Sequence, residues 1–149
     1  MQKIFNHIRK QNVDVITKFL ENGGDVNFCD NDQRTLLINS VIEQSYDIAK
    51  LLINSGANID AQDFGGWSAL HFAVQNYDID SVCLLIESGA KIDVKDSYGN
   101  TPLFRAIFSS KGRGEVIKIL LKRGANPNSK NENGVSPYDL GACLSMPSI

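Results

Sequence analysis

The side chains of this 149-residue sequence best suited to nucleophilic or general-base chemistry are His7, His71, Cys29, Cys83 and Cys143. An imidazole base needs a nucleophile within reach and an acid to orient it. Cys83 follows His71 closely, but the hydrophobic pattern puts it on the next helix, facing away, and His7 stands in no partner pattern. The cysteines are odd in number and lack CxxC spacing, so neither a disulfide framework nor a zinc site is expected. They read as reduced thiols at semi-buried positions.

Carboxylates are more numerous. Asp30, Asp32, Asp60, Asp63, Asp93 and Asp96 all fall in loop-forming stretches. The ligand spacing of a calcium loop is absent. Each recurs beside turn residues, where an Asx side chain accepts turn amides. No phosphate loop, nucleophile elbow or dinucleotide fingerprint is present. The expectation is a chain without catalytic residues, metal or cofactor.

Charge adds a direction. Residues 30–96 carry eleven acids and four bases, whereas residues 97–149 carry seven bases and three acids. This is either solvated polar surface or an acidic central surface that steers a basic partner. The basic C-terminal third lacks a nucleic-acid-binding motif and the chain is acidic overall, so no direct nucleic-acid contact is expected. No apolar run approaches the roughly 18 residues of a membrane span. The start lacks the apolar core of a secretory leader, and the expectation is a cytoplasmic protein, monomeric when free.

Those loops are spaced by a repeat. Gly23, Gly56, Gly89 and Gly124 each precede a small residue, at steps of 33, 33 and 35. Short extended segments follow: GDVNF, ANIDA, AKIDV and ANPNS. Between stops lie two short apolar runs, neither long enough for a stable isolated helix. Such a unit must stack on copies of itself.

Thr35 to Ser40 (TLLINS), Ser68 to Ala73 (SALHFA), Thr101 to Ala106 (TPLFRA) and, more weakly, Ser136 to Gly141 (SPYDLG) occupy one place in each unit. These stretches and the 33-residue period resemble ankyrin repeats. The resemblance implies an all-α solenoid of helix-turn-helix units joined by short β-hairpin loops, about four repeats plus a C-terminal cap. The chain is one domain, with units 1–29, 30–62, 63–95 and 96–130 and a cap at 131–149. Thr35 and Thr101 are expected N-caps, with Pro102 at the first helical position. Gln33 stands where the next two units have Gly66 and Gly99, so the first hairpin is expected to be less regular. The segment 108–114, with Gly112, Arg113 and Gly114, reads as a flexible basic loop that absorbs the two extra residues. Residues 136–144 form a capping helix, and 146–149 a frayed tail. The resemblance also implies that His71 bonds backbone and ties neighbouring turns.

In ankyrin folds, hairpin tips and first-helix ends form a concave, variable surface. That implies a partner-binding set of Asp32, Arg34, Glu43, Phe64, Trp67, Gln75, Asn76, Tyr98, Asn100 and Phe108. Exposed aromatics are the usual anchors of protein interfaces, and Asp32, Glu43 and Asp63 surround this cluster. Trp67 fits two roles equally, binding anchor or packing against the next hairpin.

A narrower resemblance covers residues 101–141. Phe104-Arg105-Ala106, Gly112-Arg113-Gly114, Asn126-Pro127-Asn128 and Gly134-Val135-Ser136-Pro137 resemble small bacterial ankyrin-repeat proteins, some of them immunity proteins for secreted toxins. It implies an antitoxin that blocks a toxin domain with a basic cleft. The alternatives are a generic ankyrin adaptor and, from another class, a hydrolase using Cys83 or His71.

Overall fold

The computed structural model describes residues 2–144. Nine helices lie among them: α1 (Lys3–Arg9), α2 (Val13–Glu21), α3 (Leu36–Ile42), α4 (Tyr46–Asn54), α5 (Ala69–Gln75), α6 (Ile79–Glu87), α7 (Pro102–Ser109), α8 (Glu115–Lys122) and α9 (Pro137–Cys143). The expected tail at 146–149 lies outside the described residues.

Capping sets where the first helices begin. The Thr35 hydroxyl accepts the Ile38 amide at 3.1 Å and the Thr101 hydroxyl accepts the Phe104 amide at 3.3 Å. Ser136 and Asp139 cap α9 reciprocally: the Ser136 hydroxyl accepts the Asp139 amide, and the Asp139 carboxylate accepts the Ser136 amide. Each cap satisfies a donor that would otherwise lack a partner. The helices are seven to nine residues long, too short to persist alone, so stacking must hold them.

The stacking core follows the repeat. Leu37, Leu70 and Leu103 from the first helices are fully buried, as are Leu52, Leu85 and Leu120 from the second. Burial of such a side chain contributes about 1.5–3 kcal/mol. The first helices α1, α3, α5, α7 and α9 pack successively, more closely than the second helices do. The array therefore curves toward the first helices and the hairpins, which form its inner side.

Two expectations change. The first hairpin is as regular as the others, because Gln33 adopts the left-handed conformation (φ 59°) that Gly66 and Gly99 adopt at 76° and 77°. Its closing bonds, Asp30 amide to Arg34 carbonyl and Gln33 amide to Asp30 carbonyl, repeat in the next two units. Cys29 and Cys143 are exposed rather than semi-buried; only Cys83 is intermediate. Cys29 lies beside the first hairpin, in a β-bridge with Thr35, and Cys143 is the last residue of α9.

The longer fourth-unit connection spans 110–114, because α7 continues through Ser109. It is tied to the third unit. The Arg113 guanidinium lies 4.1 Å from the Tyr77 ring centroid, and the Tyr77 hydroxyl donates to Glu115 Oε2 at 2.9 Å. Burial and that neighbouring carboxylate push the Tyr77 phenol above its usual value.

Candidate functional site

Each hairpin is built on an Asx side chain. Asp30 Oδ1 accepts the amides of Asp32 and Arg34, Asp63 Oδ1 those of Gly65 and Trp67, and Asp96 Oδ1 those of Tyr98 and Asn100, all at 2.9–3.0 Å. Asn131 does the same for Asn133 and Val135. A carboxylate with two amides on one oxygen is a turn anchor, which explains why these acids recur at the unit boundaries. Among the described residues no cluster of three or more His, Cys, Asp or Glu is placed to hold a metal.

Neighbouring hairpins are joined along their tips. The amides of Phe64, Ser97 and Glu132 donate to the carbonyls of Asp32, Gly65 and Tyr98. A second ladder runs through the extended segments: Asn27, Asp60 and Asp93 accept the amides of Asn58, Lys91 and Asn126. Asp60 and Asp93 thus bond the following unit rather than their own turn.

The outer carboxylate oxygens differ between units. Asp30 Oδ2 accepts from Asn39 Nδ2 at 3.0 Å, and Asp96 Oδ2 accepts from Arg105 Nε at 3.0 Å. Both donors come from the first helix of the same unit. The corresponding residue of the third unit is Phe72, which cannot donate. Asp63 Oδ2 instead takes Arg34 Nε, at 3.4 Å, from the preceding unit.

An aromatic stack fills the space this exchange creates. The Arg34 guanidinium lies 5.5 Å from the Phe72 centroid, Phe72 and Trp67 are 4.9 Å apart, and the Arg105 guanidinium lies 4.7 Å from Trp67. Cation–ring contacts of this kind contribute about 0.5–2 kcal/mol each. Beside the stack is an open groove of about 330 Å³ lined by Asp32, Arg34, Asp63, Phe64, Gly65, Trp67, Phe72 and Gln75.

His71 lies beneath this stack, fully buried. Its Nδ1 accepts the Ser68 amide at 3.2 Å, so the ring proton is on Nε2, which donates to the Asn100 carbonyl at 3.0 Å. Burial holds the imidazole below its usual value, against the opposing pull of the Asn100 carbonyl. With both nitrogens used, His71 is a structural tie and not a base.

A family model described as ankyrin repeats (3 copies) matches residues 4–96 and again 65–131. The chain belongs to the ankyrin-repeat family. Transient receptor potential cation channel subfamily A member 1 of Homo sapiens is 49% identical over 43 residues, which is 29% of this chain and 4% of the length of that relative. Ankyrin repeats constitute a protein-binding module, and the architecture is typically a non-catalytic scaffold. No helix among the described residues is long and apolar enough to cross a membrane.

The structure brings half of the expected binding set together. Asp32, Arg34, Phe64, Trp67 and Gln75 line the groove. Asn76 is exposed at the end of α5. Tyr98 stands out from the next tip, 65% exposed, and Phe108, 68% exposed, occupies on α7 the place that Gln75 occupies on α5. Glu43 is half-buried and paired with Arg9 at 3.4 Å. Asn100 is the exception. It is buried, its carbonyl accepts from His71, and its Oδ1 accepts from Asn131 Nδ2. It stands at the register position of Arg34 and Trp67 in the preceding units, but His71 and Asn131 take its polar atoms. Phe72 and Arg105 were absent from the expected set. Their signal is the 33-residue register of Asn39, Phe72 and Arg105, one polar, one aromatic and one cationic residue at a single site.

Proposed function

We propose that this ankyrin chain is a non-catalytic binding module whose inner face, centred on the groove between the second and third units, docks one partner protein. The observation that carries this reading is the row of uncovered aromatics beside the groove: Phe64, Tyr98 and Phe108 are each about two-thirds exposed although the fold has a well-packed core. Removing such rings from water on docking is the usual source of interface hot spots. The acid most open to a partner is Asp32, whose carboxylate is 67% exposed and only loosely paired with Arg34 at 3.6 Å; Glu43 and Asp63 are more covered, and each faces an arginine at 3.4 Å. With the acid excess of residues 30–96, this favours a basic partner surface. Within that class, the resemblance of residues 101–141 supports an immunity protein that covers the basic cleft of a toxin domain.

The test is co-expression with the product of a neighbouring gene, taken as the candidate toxin, scored by survival and by recovery of the complex. Loss of both with folded Phe64→Ala/Tyr98→Ala, and retention with Lys50→Ala/Lys118→Ala on the second helices, is the expected result. The reverse pattern places the site on the outer surface. Recovery of the complex without protection makes the chain an adaptor.

A further inference from the structure

Arg34 is held less firmly than Arg105, the other cation set against these rings. Arg105 places two nitrogens on Asp96 Oδ2, and 18% of its side chain is exposed. Arg34 has Nε 3.4 Å from Asp63 Oδ2 and Nη1 3.6 Å from Asp32 Oδ2, and 36% of its side chain is exposed. Charge-assisted N–H···O bonds close to about 2.7–2.9 Å, so neither pairing of Arg34 is closed. Its contact with a ring is also the longer of the two, 5.5 Å against 4.7 Å. Around it the seat for a guanidinium is complete. Phe72 supplies a face, the buried Asp63 and the exposed Asp32 supply carboxylates, and the groove is open to solvent.

We propose that Arg34 is an internal stand-in for an arginine of the partner. On docking, the partner's guanidinium enters the groove, stacks on Phe72 and pairs with Asp63 and Asp32, while Arg34 swings out. This rests on the inner-face reading above and names the side chain that face accepts. The exchange is one for one, because Asp63 is too buried to remain without a cation. An arginine fits better than a lysine, since its planar fork can stack and still reach two carboxylates, whereas an ammonium is compact and more strongly hydrated. A carboxylate fits worse, because Asp32 stands beside Nη1 and leaves the seat with a formal charge of −1 even with Arg34 in place.

Trp67 is the single tryptophan and forms part of the groove wall, so its fluorescence reports occupancy directly. The probe is a capped Gly-Leu-Arg-Leu-Gly peptide, with versions carrying Lys or Glu at the centre, titrated into the full chain and checked by calorimetry. A stand-in that fills the seat nine-tenths of the time weakens a competitor about tenfold. The arginine peptide should therefore bind Arg34→Met about tenfold more tightly than the unaltered chain, bind the Asp32→Asn/Arg34→Met protein less tightly than Arg34→Met, and outcompete the lysine peptide. Arg34→Met retains an apolar cover on Phe72; Arg34→Gln is the second variant, and circular dichroism verifies the fold of each. Equal affinity of the arginine peptide for Arg34→Met and the unaltered chain overturns the proposal. So does binding of the glutamate peptide that disappears in Arg34→Met, which would make Arg34 itself the reader of an anion. If either result comes while capture of the partner still depends on Phe64 and Tyr98, the stand-in is refuted and the inner-face reading stands.

Discussion

His71 Nε2 lies 3.0 Å from the carbonyl oxygen of Asn100, joining the first helix of the third unit to the hairpin of the fourth. The ring can make this bond only with the proton on Nε2, because Nδ1 is occupied by the Ser68 amide. Protonation of Nδ1 would remove an acceptor at a helix start and place a charge in the core.

Acid should therefore loosen this ankyrin array through His71. Its folded-state value lies below the usual 6.5, chiefly from burial. The unfolded chain then binds the proton more readily, so the stabilisation is complete above pH 6.5 and declines as pH falls from there toward the folded value. The slope from one such group is at most about 1.4 kcal/mol per pH unit. Melting temperatures at pH 7.5 and 5.0 check it. The unaltered chain should lose stability across this interval, and His71→Gln should show a smaller loss. Equal losses in the two proteins would separate His71 from the acid response.

The hairpin glycines offer a sharper contrast. A Cβ at Gly66 would sit 2.6 Å from the Ser97 nitrogen, at a backbone φ of 76°. Neither the backbone conformation nor the neighbouring hairpin accommodates it. Gly66→Ala should cost about 1–3 kcal/mol in chemical denaturation. Gln33→Gly, at the corresponding place of the second unit, should change stability by less than about 1 kcal/mol, since a glycine relieves left-handed strain but adds freedom to the unfolded chain. A destabilisation by Gln33→Gly as large as that by Gly66→Ala would show that the Gln33 side chain holds the hairpin.

The thiols should differ in reactivity. Cys29 and Cys143 are exposed, and Cys83 is half-buried on α6. Under native conditions two thiols should react rapidly with a disulfide reagent and the third slowly, with all three equal after denaturation. Because no cross-link is expected, dithiothreitol should leave the melting temperature unchanged. Three equally fast thiols in the native chain would contradict the placement of Cys83.

Much of this architecture was legible because each unit repeats a local grammar. Thr35 and Thr101 cap helices where a hydroxyl precedes an apolar run, and the stop glycines mark the register. What escaped were relationships between units. Asn100 is at a tip, yet it is buried because His71 below and Asn131 beyond claim its polar atoms. Gln33 has no glycine-like composition, but the closing bonds of its hairpin impose the left-handed backbone. The turns between paired helices use non-glycine residues in the same way, at Gln11, Gln44, Tyr77 and Lys111. The Arg34–Asp63 pairing arises only because Phe72 denies Asp63 a donor of its own, a consequence that spans two units. The groove is lined by Asp32, Arg34, Phe64, Trp67 and Gln75 of the expected set, whereas Phe72 in its wall and Arg105 over Trp67 were not in that set.

Trp67 was open to two roles, binding anchor or packing against the next hairpin, and its ring packs against residues of its own unit and Arg105 on α7. The Phe72 ring is 4.9 Å away, tilted by 49°, the Arg105 guanidinium lies 4.7 Å from the Trp67 centroid, and Trp67 lines the groove. Trp67→Ala should therefore lower stability by about 3 kcal/mol, at the low end for a large aromatic because the ring is only half-buried. Trp67→Phe keeps a ring in the stack and should recover most of this. The specific contribution of the cation contact is separable by a double-mutant cycle with Arg105→Met, which keeps apolar cover while removing the charge. The coupling should be about 0.5–2 kcal/mol. Arg105→Met also strips Asp96 of its cation, but that loss is common to both arms of the cycle and cancels. A coupling near zero, with Trp67→Ala no less stable than the unaltered chain, would reduce Trp67 to a surface residue whose conformation the fold does not control. A full coupling would mean that the groove wall is set by Arg105 from the fourth unit. Substitutions at Arg105 would then alter binding in the groove between the second and third units without touching the partner.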